Sequence, residues 1–173
     1  LENKGNNFIY APLVNFVDNN FNVCHEMLRD PNTIMGLGDG GAHVGFILDA
    51  GYPTWLLSYW TRDKKLFSLE DSIRRLTSDT ASAIGLYDRG AIKEGLKADI
   101  NILDIENLGS SDPYMLKDLP AGGSRLMQTT SGYVANIVSG KITYVKGKKE
   151  NVLPGKLVKL INIQEKFKEK DLV

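Results

Sequence analysis

The residues best suited to chemistry lie in one glycine-rich run, Gly36-Leu37-Gly38-Asp39-Gly40-Gly41-Ala42-His43. A single carboxylate, Asp39, stands among four glycines and follows the apolar stretch 33–35. Such a carboxylate can act as a general acid or base. An acidic residue after a strand-like stretch, with free backbone on both sides, is typical of an active-site loop. The alternative is a turn carboxylate that accepts hydrogen bonds from amides of its own loop.

The two histidines and the cysteine carry weaker signals. His43 is either a histidine bonded to backbone or a group that contacts substrate, and with Gly40 and Gly41 it forms the candidate substrate-binding set. Cys24 and His25 are adjacent, which is too close for a useful metal pair on one helix face. Cys24 is interpreted as a buried, inert thiol and His25 as a structural residue.

Two cationic side chains, Lys117 and Arg125, lie in a long connection and could face a substrate carboxylate. Surface ion pairs are the more common outcome for such residues. Asp88-Arg89-Gly90 is interpreted as a turn between two parts of the chain.

The composition excludes several classes of protein. Lys and Arg (21) balance Asp and Glu (21), so no overall positive field attracts nucleic acid. No apolar run has the 18 or more residues of a membrane span. The chain has one cysteine and no recognisable signal peptide, which favours a cytoplasmic protein. It begins without Met, which suggests that the true N-terminus lies upstream.

The first half of the sequence predicts helices around one short strand. Residues 17–28 indicate a helix that Asp30-Pro31 stops, and residues 33–37 indicate a strand that leads into the glycine-rich run. Residues 53–60 are apolar nearly all round, which predicts a covered helix with Trp55 and Trp60 in the core.

A second helical stretch begins at a capping box. In Ser68-Leu69-Glu70-Asp71, the Ser68 hydroxyl should accept from the Asp71 amide while the Asp71 carboxylate reaches back. A break or a second N-cap is predicted at residues 77–79, and Gly85 is the predicted stop. The predicted apolar face contains Ile73, Leu76, Ala83 and Ile84.

The second half changes period and predicts strands. Residues 98–103 alternate as a half-buried strand. Residues 133–138 and 141–145, joined by Ser139-Gly140, predict a β-hairpin. Between them, residues 107–132 form a long connection, and connections of this length are usually ordered by function or by packing on another domain. The predicted elements do not close a core, so the chain is expected to be part of something larger.

The glycine-rich run, continued by Val44-Gly45, resembles G-L-S-D-G-G-A-H of the N-acyl-D-amino-acid deacylases (D-aminoacylases) in the amidohydrolase superfamily. The resemblance covers roughly residues 10–160. Its further motifs are Leu76-Thr77, Gly85-Leu86, Asp88-Arg89-Gly90, Ala98-Asp99, Asp118-Leu119-Pro120-Ala121-Gly122-Gly123-Ser124-Arg125-Leu126, Val138-x-Gly140 and Leu153-Pro154-Gly155-Lys156-Leu157-Val158.

This resemblance implies an α/β fold, namely the C-terminal part of a metal-dependent hydrolase (β/α)8 barrel together with C-terminal strands of a small β-sandwich. Residues 1–85 would be the end of the barrel, with 33–37 as strand 8. Residues 86–160 would belong to the sandwich, and 161–173 would form a charged tail. Active sites of such barrels lie at the C-terminal ends of the strands, where Asp39 would stand.

The resemblance also implies a reaction. Zinc in the full-length enzyme would activate a water, and Asp39 would act as the general base and acid in hydrolysis of an N-acyl-D-amino acid or a similar non-peptide C–N bond. The metal ligands would lie mostly outside this chain, with Asp39 the one candidate inside it. The expected partners are the small-molecule substrate and the N-terminal remainder of the polypeptide, and a homo-oligomer stays open. This chain alone is expected to be inactive.

Two alternatives remain at this point. One is a non-catalytic structural or assembly subunit, which the missing ligand set motivates. The other is a hydrolase of the same superfamily that acts on cyclic amides.

Overall fold

The computed structural model describes residues 14–158 except positions 37, 42 and 47. The chain divides into two compact units, Leu1–Ile34 and Met35–Val173. The predicted charged tail, 161–173, lies outside the described residues. Among those described, no helix is long and apolar enough to cross a membrane, and the cytoplasmic location stays a prediction.

The described part of the first unit contains one helix, α1 (Asn22–Arg29), which starts later than predicted. Asp18 and Asn19 have positive φ and form a turn closed by a bridge between Val17 and Asn20, so residues 17–20 cannot join the helix. The predicted stop is confirmed. Asp30 is extended, as a residue before proline should be.

The strand predicted at 33–37 is wrong for the residues that the structure describes. Residues 33–36 have no strand structure, and Leu37 lies outside the described residues. A strand exists only where its backbone pairs with a neighbour. The apolar sequence is present, but no described segment supplies the partner backbone.

The predicted helix at 53–60 is confirmed and extends further. It comprises α2 (Tyr52–Trp55) and a π-helical continuation (Leu56–Asp63), with Pro53 in the first turn, where its missing N–H costs nothing. Trp60 is 3% exposed, as predicted. Trp55 is 39% exposed, so its predicted place in the core is wrong. The Trp55 ring instead stacks on Tyr59, with ring centroids 4.5 Å apart.

The next helical stretch comprises α3 (Leu69–Arg74), π-helical Arg75–Asp79 and α4 (Thr80–Ala83). The Ser68 hydroxyl accepts from the Asp71 amide at 3.1 Å, so this half of the capping box is confirmed. The Asp71 carboxylate instead accepts from Arg75 and Arg74, and these hydrogen bonds lower its pKa. The predicted break is a widened π turn rather than a second N-cap.

The end of this stretch follows the sequence prediction, whereas its apolar face does not. Gly85 has φ +75, and the amides of Gly85 and Leu86 donate to Ser82 and Ala81 in a Schellman pattern. The predicted face is wrong in part, because Ile73, Ala83 and Ile84 are exposed. Ser72 and Ala81 are buried in their place.

A buried hydroxyl pair joins the two helical stretches. The Thr61 hydroxyl donates to the Leu56 carbonyl at 2.9 Å and lies 2.6 Å from the Ser72 hydroxyl, which is 0% exposed. Because the Thr61 proton is used on Leu56, Ser72 must be the donor within the pair.

We therefore expect Thr61→Val to destabilise the full protein by about 1–3 kcal/mol, because it leaves the buried Ser72 donor without an acceptor. Ser72→Ala should cost less, since Thr61 keeps its bond to Leu56. Urea unfolding measures both values. Thr77→Val is the control, because its hydroxyl also donates to a helix carbonyl, that of Ile73, but lies at an accessible site. Equal losses for Thr61→Val and Ser72→Ala would contradict the donor assignment.

The predicted hairpin is confirmed, and it is part of a four-stranded antiparallel sheet. Its strands are β6 (Tyr133–Val138) and β7 (Lys141–Val145), and Ser139 and Gly140 both have positive φ, as a type I′ turn requires. The predicted strand at 98–103 is β1 (Ile100–Leu103), which pairs with β6. The edge strand β8 is Lys148–Lys149, and the strand order in the sheet is β1-β6-β7-β8.

The predicted long connection, 107–132, is ordered mainly by pairing with itself. β2 (Gly109–Ser110) pairs with β5 (Thr130–Ser131), and β3 (Tyr114–Leu116) pairs with β4 (Arg125–Met127). A short 3-10 helix, Pro120–Gly122, lies at the tip. We call this antiparallel segment the excursion. Arg62 fixes its start by donating to the Leu108 carbonyl at 2.6 Å.

Asp88-Arg89-Gly90 forms the predicted turn. The Arg89 guanidinium donates to both Asp88 oxygens, which lowers the pKa of Asp88, and it also reaches Asp99 at 3.3 Å. Gly90 has φ +91, and a Cβ there would lie 2.9 Å from the Ser78 Cα. This turn therefore ties the helices to the segment that enters β1. The molecule is a mixed helix and strand fold, and its assignment to a barrel and a sandwich stays a prediction.

Candidate functional site

The loop that carries Asp39 is folded tightly against residues 49 and 50. A Cβ on Gly38 would lie 3.0 Å from the Asp49 carbonyl oxygen, and a Cβ on Gly40 would lie 2.6 Å from the Ala50 Cβ. These two glycines are therefore needed for close approach of two backbone segments. Gly41 is needed for another reason, since it has φ +91 and no described atom lies within 4 Å of its added Cβ.

The Asp39 side chain is exposed, whereas its backbone amide is hydrogen-bonded. The Asp39 amide donates to the Asp49 carboxylate at 2.8 Å. The carboxylate of Asp39 has no hydrogen bond or ion pair with any residue in the described ranges. The turn-carboxylate role considered for Asp39 thus belongs to Asp49. The Asp39 carboxylate stays available for a ligand.

His43 follows in a strained turn. His43 and the β-branched Val44 both have φ 54, a conformation that side chains with a Cβ rarely adopt. The His43 ring is exposed and meets Phe46 edge-on, with ring centroids 6.4 Å apart. No hydrogen bond joins His43 to Asp39 in the part of the chain that the structure describes. The role of His43 as a substrate contact stays a prediction.

The excursion holds the far end of this loop. The Leu126 amide in β4 donates to the Val44 carbonyl at 2.9 Å. Met115 in β3 lies over Gly45, where an added Cβ would be 3.8 Å from its methyl carbon. The strained turn therefore lies beside the β3–β4 hairpin and is hydrogen-bonded to β4. Residues 107–132 are remote in sequence, yet they contact the chain at Val44, which is three residues after the last glycine of the loop.

The cations of the excursion do not converge on Asp39. Arg125 donates from Nε and Nη2 to the two oxygens of Asp118, at 2.8 and 2.5 Å, which holds the pKa of Asp118 below its ordinary value. The interpretation of Arg125 as a surface ion-pair residue is confirmed. Lys117 is exposed. Neither side chain is shown to face a substrate carboxylate.

The described residues do not form a metal centre by themselves. Within 14–158, apart from the three omitted positions, no group of three or more His, Cys, Asp or Glu side chains is placed to hold a metal ion. The predicted burial of Cys24 is wrong, because the residue is only half-buried, and its thiol donates to the Asn15 carbonyl at 3.3 Å. Asp39 stays the candidate ligand, but the residues described here do not fit a zinc site without further ligands.

Two large cavities lie in the second unit. One, of about 1110 Å³, is lined by residues that include Ala50, Gly51, Gln128 and Tyr133. The other, of about 660 Å³, lies between the helices and the segment that enters β1. Neither Asp39 nor His43 lines either cavity. Both side chains are exposed.

Sequence reasoning located Asp39 but missed Asp49 and the excursion contacts. Asp49 stands ten residues after Asp39, directly before Ala50-Gly51, where an acidic residue ahead of a helix start gives only a weak signal. Leu126 and Met115 carry no polar side chain. They contact the loop through a backbone amide and an apolar surface, which residue type does not reveal.

Comparison with known proteins gives a family. Residues 12–144 match the sequence model of a family described as Amidohydrolase family, which is more than half of the chain. Two curated relatives are named dihydroorotase. One, from Lactobacillus acidophilus, is 32% identical over 98 residues, covering 54% of this chain and 22% of the relative. The other, from Lactobacillus johnsonii, is 31% identical over the same lengths. The chain thus spans about a fifth of the length of these relatives, and no solved structure gives a significant match.

Proposed function

The chain belongs to the amidohydrolase family, and from that membership we propose that the full protein hydrolyses the amide bond of an N-acyl-D-amino acid. The family and the names of the relatives indicate a hydrolase. The observation that carries the proposal is the state of Asp39. Its carboxylate is exposed and forms no hydrogen bond with the described residues of its own loop, while its backbone amide is fixed by Asp49.

Asp39 is proposed to move one proton through the reaction. As water attacks the amide carbonyl, the Asp39 carboxylate takes a proton from that water, and it then gives the proton to the leaving amine as the C–N bond breaks. The products are a carboxylic acid and the free amino acid. Gly40 and Gly41 would let substrate approach the backbone without a Cβ, and His43 is the proposed side-chain contact.

Zinc is proposed as the metal of the full protein, where it would polarise the carbonyl and acidify a bound water. Because the described residues lack a ligand set, most of its ligands are proposed to lie outside them. The other proposed partners are the small-molecule substrate and the remainder of the same polypeptide. Nucleic acid and membrane are not proposed partners, and a homo-oligomer stays a prediction.

A cyclic-amide hydrolase is the second candidate. The D-aminoacylase-like motifs support the first candidate, whereas the two relatives named dihydroorotase favour the second. Both reactions break an amide C–N bond and use the same proton transfers. In the first reaction the amine leaves as a separate product, whereas in the second it stays attached to the ring-opened product.

The test is a substrate comparison with the full reading frame that contains this chain. N-acetyl-D-leucine, N-acetyl-L-leucine and dihydroorotate are each incubated with the purified protein, and amine release or ring opening is measured. We expect release from the D-amide at least about tenfold faster than from the L-amide. Ring opening without amine release would favour the second candidate. The third alternative, a non-catalytic subunit, requires no turnover of any substrate and no stoichiometric zinc.

A further inference from the structure

Asp49 links the loop of Asp39 to the start of a helix. Its carboxylate oxygen Oδ2 accepts from the Asp39 amide at 2.8 Å, and its backbone carbonyl accepts from the Tyr52 amide at 3.2 Å. Tyr52 is the first residue of α2. Asp49 therefore contacts Asp39 through its side chain and α2 through its backbone.

The helix end of this link is firmly packed. The π-helical continuation of α2 contains Leu56, Leu57 and Trp60, which are 1%, 3% and 3% exposed. Buried side chains of this kind fix the position of a helix. The hydrogen bond from the Tyr52 amide therefore fixes Asp49 relative to α2.

The loop end is held by steric fit as well as by the hydrogen bond. An added Cβ on Gly38 would lie 3.0 Å from the Asp49 carbonyl oxygen and 3.3 Å from the Tyr52 ring. On Gly40 it would lie 2.8 Å from the Ala50 amide nitrogen. The residues on both sides of Asp39 are therefore pressed against 49–52, and the Asp49 carboxylate fixes the peptide between them.

We propose that Asp49 is a positioning residue that holds the backbone of Asp39 so that its carboxylate points at the reacting amide. This inference rests on the proposed function of Asp39 as the proton carrier. A hydrogen bond to an ionised acceptor is shorter and stronger than one between neutral groups. Misplacement of a reacting group by about 1 Å can lower a rate about 10²-fold.

The experiment compares Asp49→Ala with Asp49→Asn in the full protein. Asparagine keeps a side-chain oxygen that can accept from the Asp39 amide, whereas alanine removes the acceptor. We expect Asp49→Ala to lower kcat about 10–100-fold and to change KM by about twofold or less. Asp49→Asn should restore kcat to within about threefold of wild type.

A matched control removes the same kind of bond elsewhere. The Asp30 carboxylate accepts from the Asn32 amide at 2.7 Å in the first unit, so Asp30→Ala should leave kcat unchanged. If Asp49→Ala does not fold by circular dichroism, Asp49→Leu replaces it, since leucine has a similar size and no acceptor. Hydrogen exchange of the peptide containing residues 36–41 should rise in the Ala or Leu variant and not in Asp49→Asn.

Three outcomes would overturn the inference: wild-type kcat for Asp49→Ala, or for Asp49→Leu where it replaces alanine; an equal loss for Asp49→Asn; or the same loss for Asp30→Ala. Failure of the proposed function has a different signature. In that case Asp39→Ala, measured beside these variants, would keep wild-type turnover whatever the behaviour of the Asp49 variants.

Discussion

Replacing Asp39 with alanine is expected to lower kcat of the full protein by about 10²–10⁴-fold, the usual contribution of general acid–base catalysis. The physical reason is the loss of the carboxylate that is proposed to carry a proton between water and leaving amine. The backbone should be little changed, because the Asp39 hydrogen bond to Asp49 is made by the main-chain amide. Steady-state rates on the preferred substrate measure the effect.

Alanine is a better choice than asparagine here, because an Asn-Gly pair deamidates readily and would regenerate a carboxylate before Gly40. The matched control is Asp112→Ala, which removes an exposed carboxylate from the excursion. It should leave kcat unchanged. An Asp39→Ala protein that folds, by circular dichroism, and hydrolyses substrate at the wild-type rate would refute the catalytic assignment.

The elements that sequence predicted well are those whose signals are local. The Ser139-Gly140 turn needs positive φ at both positions, and the two flanking strands carry their own partner, so the hairpin is complete within 13 residues. The Ser68 cap and the Gly85 stop are also decided within one turn of helix. No distant segment is needed to form any of them.

The elements that sequence predicted poorly depend on distant partners. Residues 33–37 have strand composition, but a strand requires a neighbouring backbone, which is set by the whole protein. Trp55 has the hydrophobicity of a core residue, yet its helix turns it toward solvent and Tyr59. The excursion has short strands of two or three residues, which are too brief to show a period.

The same distinction between local and distant signals holds for the candidate site. Asp39 is recognisable because a lone carboxylate among glycines is unusual in a short segment. The residues that hold it are recognisable only after folding, because Asp49 acts across a ten-residue loop and Leu126 across more than eighty residues. The type of the candidate catalytic residue can be identified from the sequence, whereas the contacts that position it are known only from the fold.

Gly132→Ala is expected to give the largest loss of stability, about 2–5 kcal/mol from left-handed backbone strain and overpacking together. Gly132 has φ +81, and an added Cβ would lie 2.5 Å from the Leu108 Cα and 2.8 Å from the Asp104 carbonyl oxygen. Both are backbone atoms, so no side chain can rotate away. Thermal and urea unfolding of the full protein measure the loss.

Gly140→Ala separates the two causes, because Gly140 also has positive φ, +74, but no atom of the described residues lies within 4 Å of its added Cβ. It should cost only the strain, about 1–2 kcal/mol, and equal losses at the two glycines would contradict the steric argument. Gly132 closes the base of the excursion against the buried Leu108, while β4 of the same excursion holds the Val44 carbonyl. We therefore expect Gly132→Ala, unlike Gly140→Ala, to lower turnover as well, because the turn after Asp39 loses its fixed neighbour.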